Sequence, residues 1–208
     1  MFDPQLRPLK DRMLEPLARR MPGVSPLALT TFGLAAGLGA ALAGWHGRFG
    51  LGLALWVLNR MLDGLDGLVA RMHGNASDLG GYLDLLADFV VYAAIPVALA
   101  LRPGAPPELV GAGLVLVAAF YVNTASWMVP AALLEKRGQG VSARGEPTSV
   151  TIPEGLVSGG ETVVFYGLFF LFPAQQVALF GLMAALTGVT VLQRLVWGVR
   201  VFRGPRAD

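Results

Sequence analysis

Cysteine is absent from this 208-residue chain, which excludes disulfides and thiolate metal sites. Charge is scarce as well. Asp, Glu, Lys and Arg together make up 14% of the residues, against about 25% in an ordinary soluble domain. With 54% hydrophobic residues, 27 glycines and long apolar runs, the deficit places the chain in a bilayer. The net charge of +2 is too small to imply a nucleic-acid partner. No soluble domain, repeat or low-complexity tail interrupts the pattern, so 1–208 reads as a single membrane domain.

What is present is a series of apolar runs of about 20 residues, the length a bilayer core requires. The expected fold is an all-α integral membrane protein with about six transmembrane helices, near 27–45, 51–71, 80–101, 109–132, 160–173 and 176–200. Gly47, Gly50, Pro103, Pro106 and Pro107 punctuate the turns, and Pro173 cuts the fifth span short. The bundle occupies 23–208 and follows an amphipathic helix within 1–22. There Leu6, Leu9, Met13, Leu17 and Met21 recur at helical spacing, with Arg7, Lys10, Asp11, Glu15 and Arg19 on other faces. Such a helix lies in the membrane interface beside anionic head groups, or else packs as a solvated helix on the bundle. Ala41-Leu42-Ala43 resembles a signal-peptide cleavage site, but its apolar stretch starts late and is long, which favours a retained span.

Arg7, Lys10, Arg12, Arg19, Arg20, Arg71, Lys136, Arg137, Arg144, Arg200, Arg203 and Arg206 fall on one side of this topology. Arg48 and Arg102 fall on the other, so the positive-inside rule puts both termini in the cytoplasm. If the source is bacterial, the location is the inner membrane.

Against this apolar background, Asp63, Asp66, Asp84 and Asp88 stand inside the second and third spans. One Asp at the centre of a membrane helix costs roughly 2.5–3.5 kcal/mol. Four left unneutralised approach about 10 kcal/mol, comparable to a domain's net stability of roughly 5–15 kcal/mol. The cluster therefore calls for a cationic partner. Asp63 and Asp66 are spaced i,i+3, and Asp84 and Asp88 are spaced i,i+4, so each pair shares a helix face. A turn from about Met72 to Leu79 brings the two helices together antiparallel, letting the pairs meet. An all-oxygen ligand set favours Mg²⁺ or Mn²⁺ over zinc, and Mg²⁺ characteristically combines carboxylates with substrate phosphates. Gly67, Ala70 and Gly80 leave the same faces without bulk, through close helix packing or to admit a ligand. Arg71 continues the stripe of Asp63 and Gly67 and offers a fork of donors to a phosphate.

The run Asp63-x-x-Asp66-Gly67-x-x-Ala70-Arg71, eight residues, then Gly80-x-x-x-Asp84-x-x-x-Asp88 resembles the signature of the CDP-alcohol phosphatidyltransferases. Pro26, Thr30 and Gly33 resemble the first-span entry of that family, with Leu27 where relatives often carry Asn. The resemblance implies transfer of a phosphatidyl group from CDP-diacylglycerol, or a similar CDP-linked lipid, to a small alcohol with release of CMP. It implies that Asp63, Asp66, Asp84 and Asp88 bind two divalent ions and that Gly67, Ala70, Arg71 and Gly80 line the CDP site. Asp88 is implied as the base that takes the acceptor's proton, and a homodimer as the assembly. Two other classes use acids in membranes: Mg²⁺-dependent intramembrane prenyltransferases and divalent-cation transporters. The former carry separated Asp motifs, and the latter have no need of the glycine and Arg stripe.

Other polar residues carry less. Asn59 and Arg60 lie about a turn before Asp63; Arg60 complements the acids or reaches a phosphate, or else faces a helix partner as a structural counter-ion. Asn123, Thr124 and Ser126 suggest interhelical hydrogen bonds, and Arg194 lines the bundle or snorkels. His46, His73 and Asp78 read as loop residues. The long connection from Leu133 to Gly160, with Lys136, Arg137, Arg144, Glu146 and Glu154, is a solvated linker or a lid over the acceptor, and Glu161 follows it. Lys136, Arg137 and Arg144 are its candidates for an acceptor phosphate.

Overall fold

The computed structural model describes residues 12–141, 153 and 155–203, and every regular element among them is helical. A short α1 (12–18) precedes α2 (Pro26–Trp45), α3 (Phe49–Met72), α4 (Asp78–Ala100), α5 (Pro107–Lys136) and α6 (Gly159–Leu171). A 3₁₀ turn at Pro173–Gln175 leads into α7 (Gln176–Arg203). By length and composition α2, α4, α5 and α7 with its leading turn can each cross a bilayer. α3 is long enough at 24 residues but carries Arg60, Asp63, Asp66 and Arg71. α6 has only 13 residues, because Pro173 cannot continue a helix and opens the next turn instead. The expected spans thus correspond to α2 through α7. α5 runs past Pro130 to Lys136 and shortens the long connection at its start.

Small residues on α2 organise the bundle. Gly33, Gly37, Ala40, Ala41 and Gly44 are all buried along it. A methyl group placed on Gly44 would sit 2.8 Å from Leu99 Cδ2, and one on Gly37 would collide with Val91. Without those methyls α2 packs against α3 and α4 at once, as membrane helices do where dispersion rather than water exclusion drives association. α3 and α4, in contrast, meet through long side chains: Trp56 and Arg60 of α3 reach Tyr92 and Asp88 of α4. The backbone gap between them opens toward the connecting turn. There Gly74 takes φ +67°, a left-handed conformation that ends α3. Ser77 starts α4 by accepting a hydrogen bond from the Gly80 amide at 3.1 Å.

The core lies away from that gap. Trp56, Tyr166, Phe169, Phe170 and Phe180 are buried in one cluster between α3, α6 and α7. α5 lies against α4 and α7. One end of the bundle is tied by Arg102, which donates to Gln176 Oε1 at 2.6 Å and lies 5.3 Å over the Phe49 ring. At the other end Arg137 stacks 4.9 Å from the Phe202 ring. α1 docks there, with Leu14, Ala18 and Met21 against Leu29, Leu65, Leu68 and Val69. Met13 and Leu17 point outward, Met13 being 74% exposed, so α1 has both a bundle face and a free apolar face. Leu6 and Leu9 lie outside the described residues.

Candidate active site

The gap between α3 and α4 is a cavity of about 680 Å³. Asp66, Gly67, Ala70 and Arg71 line it from α3, and Gly80 and Asp84 from α4. Its third wall is the entry to α2, with Ser25, Pro26, Leu27 and Thr30, and Trp127 of α5 contributes as well. A narrow cleft adjoins the cavity and is lined by all four acids, Asp63, Asp66, Asp84 and Asp88, together with Thr30, Asn59 and Arg60. Helical spacing puts each pair on one face, and the turn at 73–77 brings the two faces opposite each other.

The acids sit in different environments. Asp66 is buried, and Thr30 of α2 donates to its Oδ2 at 2.6 Å. Asp88 Oδ1 accepts from Arg60 Nη2 at 2.7 Å, and Asp63 Oδ1 lies 3.7 Å from Arg60 Nη1. Among the described residues no group of three or more acids or imidazoles closes up as a metal-holding set. Three of the four have protein partners: Asp66 is bonded to Thr30, and Asp88 and Asp63 pair with Arg60. The donor set still suits a hard divalent cation: the anionic groups are all carboxylates, around one cleft that adjoins the larger cavity.

Among the described residues, Arg71 is the cation that faces the cavity. Its Nη1 would lie 3.2 Å from a methyl on Gly67, so the glycine gives the guanidinium room to lie back along α3. Arg60 lies elsewhere. It lines the narrow cleft rather than the cavity and pairs with Asp88 of the neighbouring helix.

Several polar residues resolve into structural roles. Arg194 is buried, donating from Nη1 to Asn123 Oδ1 at 2.8 Å and from Nε to the Pro153 carbonyl at 3.0 Å. It joins α5 to α7, as expected for polar groups inside a bundle. Ser126 donates to the Asn123 carbonyl at 2.6 Å within α5, not across to another helix. His73 packs its Nδ1 3.1 Å from the Val69 carbonyl, while His46 and Asp78 are exposed. Glu161 forms a capping box with Ser158 at the start of α6. Lys136 is exposed at the end of α5, and Arg137 lies 4.9 Å from the Phe202 ring. Arg144, Glu146 and Glu154 lie outside the described residues.

Tyr92 and Trp56 were not singled out from the sequence. Tyr92 is one turn beyond Asp88, and its hydroxyl accepts from Arg60 Nη1 at 2.9 Å. Trp56 is one turn before Arg60 and carries the guanidinium 4.7 Å over its ring. The i,i+4 spacings were visible. The contact between the two helices was not. Trp127 carries no local signal at all.

Residues 24–199 match the family model for CDP-alcohol phosphatidyltransferases. The chain is 34% identical over 197 residues to "Inner membrane protein YnjF" of Escherichia coli (strain K12), covering 93% of this chain and 91% of that protein. Its fold is similar to that of phosphatidylinositol phosphate synthase from Mycobacterium tuberculosis. The structure of that enzyme with manganese and citrate gives a TM-score of 0.69 at 20% identity, covering 88% of each chain. The structure with CDP-DAG bound gives 0.68 at 22% identity, covering 90% of this chain and 94% of that one.

Proposed function

The chain belongs to the CDP-alcohol phosphatidyltransferase family, and we propose that it moves a phosphatidyl group from CDP-diacylglycerol, or a similar CDP-linked lipid, to a small alcohol, releasing CMP. Family membership leaves the prenyltransferase and cation-transporter readings without support. The observation that carries the proposal is one cavity lined together by Asp66, Gly67, Ala70, Arg71, Gly80 and Asp84. It combines bulk-free helix faces, a forked cation and carboxylates, which is what a nucleotide diphosphate requires.

In this reading the diphosphate lies along Gly67 and Gly80 with Arg71 donating to it, and the lipid tails leave sideways between helices into the bilayer. Asp63, Asp66, Asp84 and Asp88 would hold two Mg²⁺ or Mn²⁺ ions. Such ions neutralise a diphosphate and polarise the attacked phosphorus. Manganese in the mycobacterial structure is in keeping with this choice of metal. Asp88, held at one oxygen by Arg60, takes the proton from the acceptor hydroxyl. The acceptor oxygen then bonds to the phosphorus bearing the diacylglycerol as the phosphorus–oxygen bond to CMP breaks, and the electron pair leaves on the CMP phosphate. The E. coli relative's name supports an inner-membrane location. The basic residues at one end of the bundle support cytoplasmic termini. A homodimer remains an inference from the family.

The test is purified protein in detergent with Mg²⁺ or Mn²⁺ and CDP-diacylglycerol. Glycerol 3-phosphate, inositol phosphate, inositol and serine are each offered, and CMP is measured. Release that depends on one alcohol supports transfer and names the acceptor. No release with any of them, despite bound CDP-lipid, counts against it.

A further inference from the structure

One buried cation is absorbed by neither the diphosphate nor the bundle's general packing. The Arg60 side chain is 11% exposed, and every nitrogen of its fork has a protein partner. Nη2 donates to Asp88 Oδ1 at 2.7 Å, Nη1 to the Tyr92 hydroxyl at 2.9 Å and Nε to Asn59 Oδ1 at 2.7 Å. The guanidinium lies 4.7 Å from the Trp56 ring and 5.3 Å from the Tyr92 ring. Each partner is anchored in turn. Asn59 donates to the Gly33 carbonyl of α2 at 2.8 Å, and Trp56 Nε1 to the Val163 carbonyl of α6 at 3.2 Å. The Tyr92 carbonyl accepts from the Tyr166 hydroxyl at 2.6 Å. Arg60 is thereby tied to α2, α4 and α6 as well as to its own helix.

We propose that Arg60 is a positioning residue: its fork, fixed by Asn59, Tyr92 and Trp56, holds Asp88 in the orientation from which it takes the acceptor's proton. The proposal rests on the reading of Asp88 as the base. A carboxylate on a helix has several staggered rotamers, and a base works only within hydrogen-bond reach of the proton it removes. A charge-assisted bond from an immobile donor selects one rotamer. An ammonium on a flexible stem does not, because it offers charge without the planar fork. Arg60 is not placed to bind the diphosphate, since Arg71 lines the cavity and Arg60 does not. Misplacing a reacting group by about 1 Å costs on the order of 10²-fold in rate, which sets the size of the expected effect.

The experiment compares wild type, Arg60→Lys, Arg60→Met and Tyr92→Phe in detergent, reading kcat, the KM for CDP-diacylglycerol and CDP affinity by calorimetry. Arg60→Lys and Arg60→Met should each lower kcat about 10²-fold while KM and CDP affinity stay within about threefold. Tyr92→Phe, which removes one anchor, should lower kcat about fivefold. Full turnover in Arg60→Lys would reduce Arg60 to a counter-charge and overturn the proposal. A loss confined to KM or CDP affinity would overturn it too, by making Arg60 a substrate ligand. Should Arg60→Met fail to fold, Tyr92→Phe decides, and an unchanged kcat there sinks the idea. Wild type that binds CDP but releases no CMP defeats the transfer reading itself, and this proposal with it. Normal transfer in wild type and all variants defeats this proposal alone.

Discussion

α3 and α4 are each one continuous helix with two contrasting halves. Toward the turn at 73–77 they carry Asp63, Asp66, Gly67, Ala70, Arg71, Gly80, Asp84 and Asp88, stand apart and leave a cavity. In their other halves they carry Trp56, Tyr92, Val91, Ile95 and Leu99 and pack into the aromatic core. The changeover is the layer of Asn59, Arg60 and Tyr92, where buried polar groups meet aromatic faces. The difference shows how a membrane bundle tolerates acids. The packed half supplies the fixed frame, and the charged half keeps its carboxylates near one buried guanidinium, a threonine hydroxyl and an open cleft. An acid moved one layer toward Ile95 or Leu99 would lose all of these and carry the full cost of roughly 2.5–3.5 kcal/mol.

The largest effects should be confined to the charged half. Chelating divalent ions should abolish CMP release and tight nucleotide binding, both returning with Mg²⁺ or Mn²⁺, while the circular-dichroism helix content stays unchanged. Activity that survives exhaustive chelation would break the comparison at its centre, because the carboxylates would then have no metal to hold. Next comes Asp88→Asn, which keeps the shape but removes the base. Turnover should fall about 10³-fold, within the range that general base catalysis supplies, with CDP affinity largely spared. Normal turnover in that variant assigns the base elsewhere.

Much of the charged half was legible because its logic is local. Acids at i,i+3 and i,i+4 share a face whatever the fold, and the glycines and Arg71 sit on the same stripes. What joins the halves to the rest was not legible. Thr30 meets Asp66 from 36 residues away, and Trp127 reaches the cavity from another helix. The antiparallel pairing of α3 and α4 was expected, yet the helix that packs directly against both is α2, whose buried glycines look like any small-residue stripe until Val91 and Leu99 are placed on them. Arg60 posed the same difficulty. Its readings were equal in sequence, and its partners Asp88 and Tyr92 on a neighbouring helix came into view only with the fold. On α1 the periodic apolar residues were visible, but Leu14 and Ala18, which dock on the bundle, lie off the expected stripe.

The packed half should respond to mutation through stability rather than chemistry. Phe169 is fully buried, 4.6 Å centroid to centroid from Phe180 and 5.1 Å from Tyr166. Phe169→Ala would leave a cavity there. In lipid the cost should fall below the roughly 3–5 kcal/mol seen in soluble cores, since exposure to lipid tails replaces exposure to water and leaves mainly lost dispersion contacts. The expected outcome is a lower thermal unfolding temperature in detergent, with CDP affinity within about threefold of wild type at low temperature. A large loss of CDP affinity in the folded variant would mean that the two halves are coupled.

The smallest expected effect tests the seam between α2 and the acids. Thr30→Val keeps the side-chain shape but removes the hydroxyl that donates to Asp66 Oδ2. Partners that orient a metal-binding carboxylate are typically worth 10–100-fold in metal affinity. Asp66 also lines a cleft shared with three other acids, so the low end of that range applies here. The Mn²⁺ concentration giving half-maximal CMP release should rise about tenfold, with kcat at saturating Mn²⁺ near wild type. Mn²⁺ binding followed by electron paramagnetic resonance, without substrate, should weaken by the same factor. If neither changes, Thr30 is only a packing residue of α2, and the orientation of Asp66 is set by its burial against α2 and α3 alone.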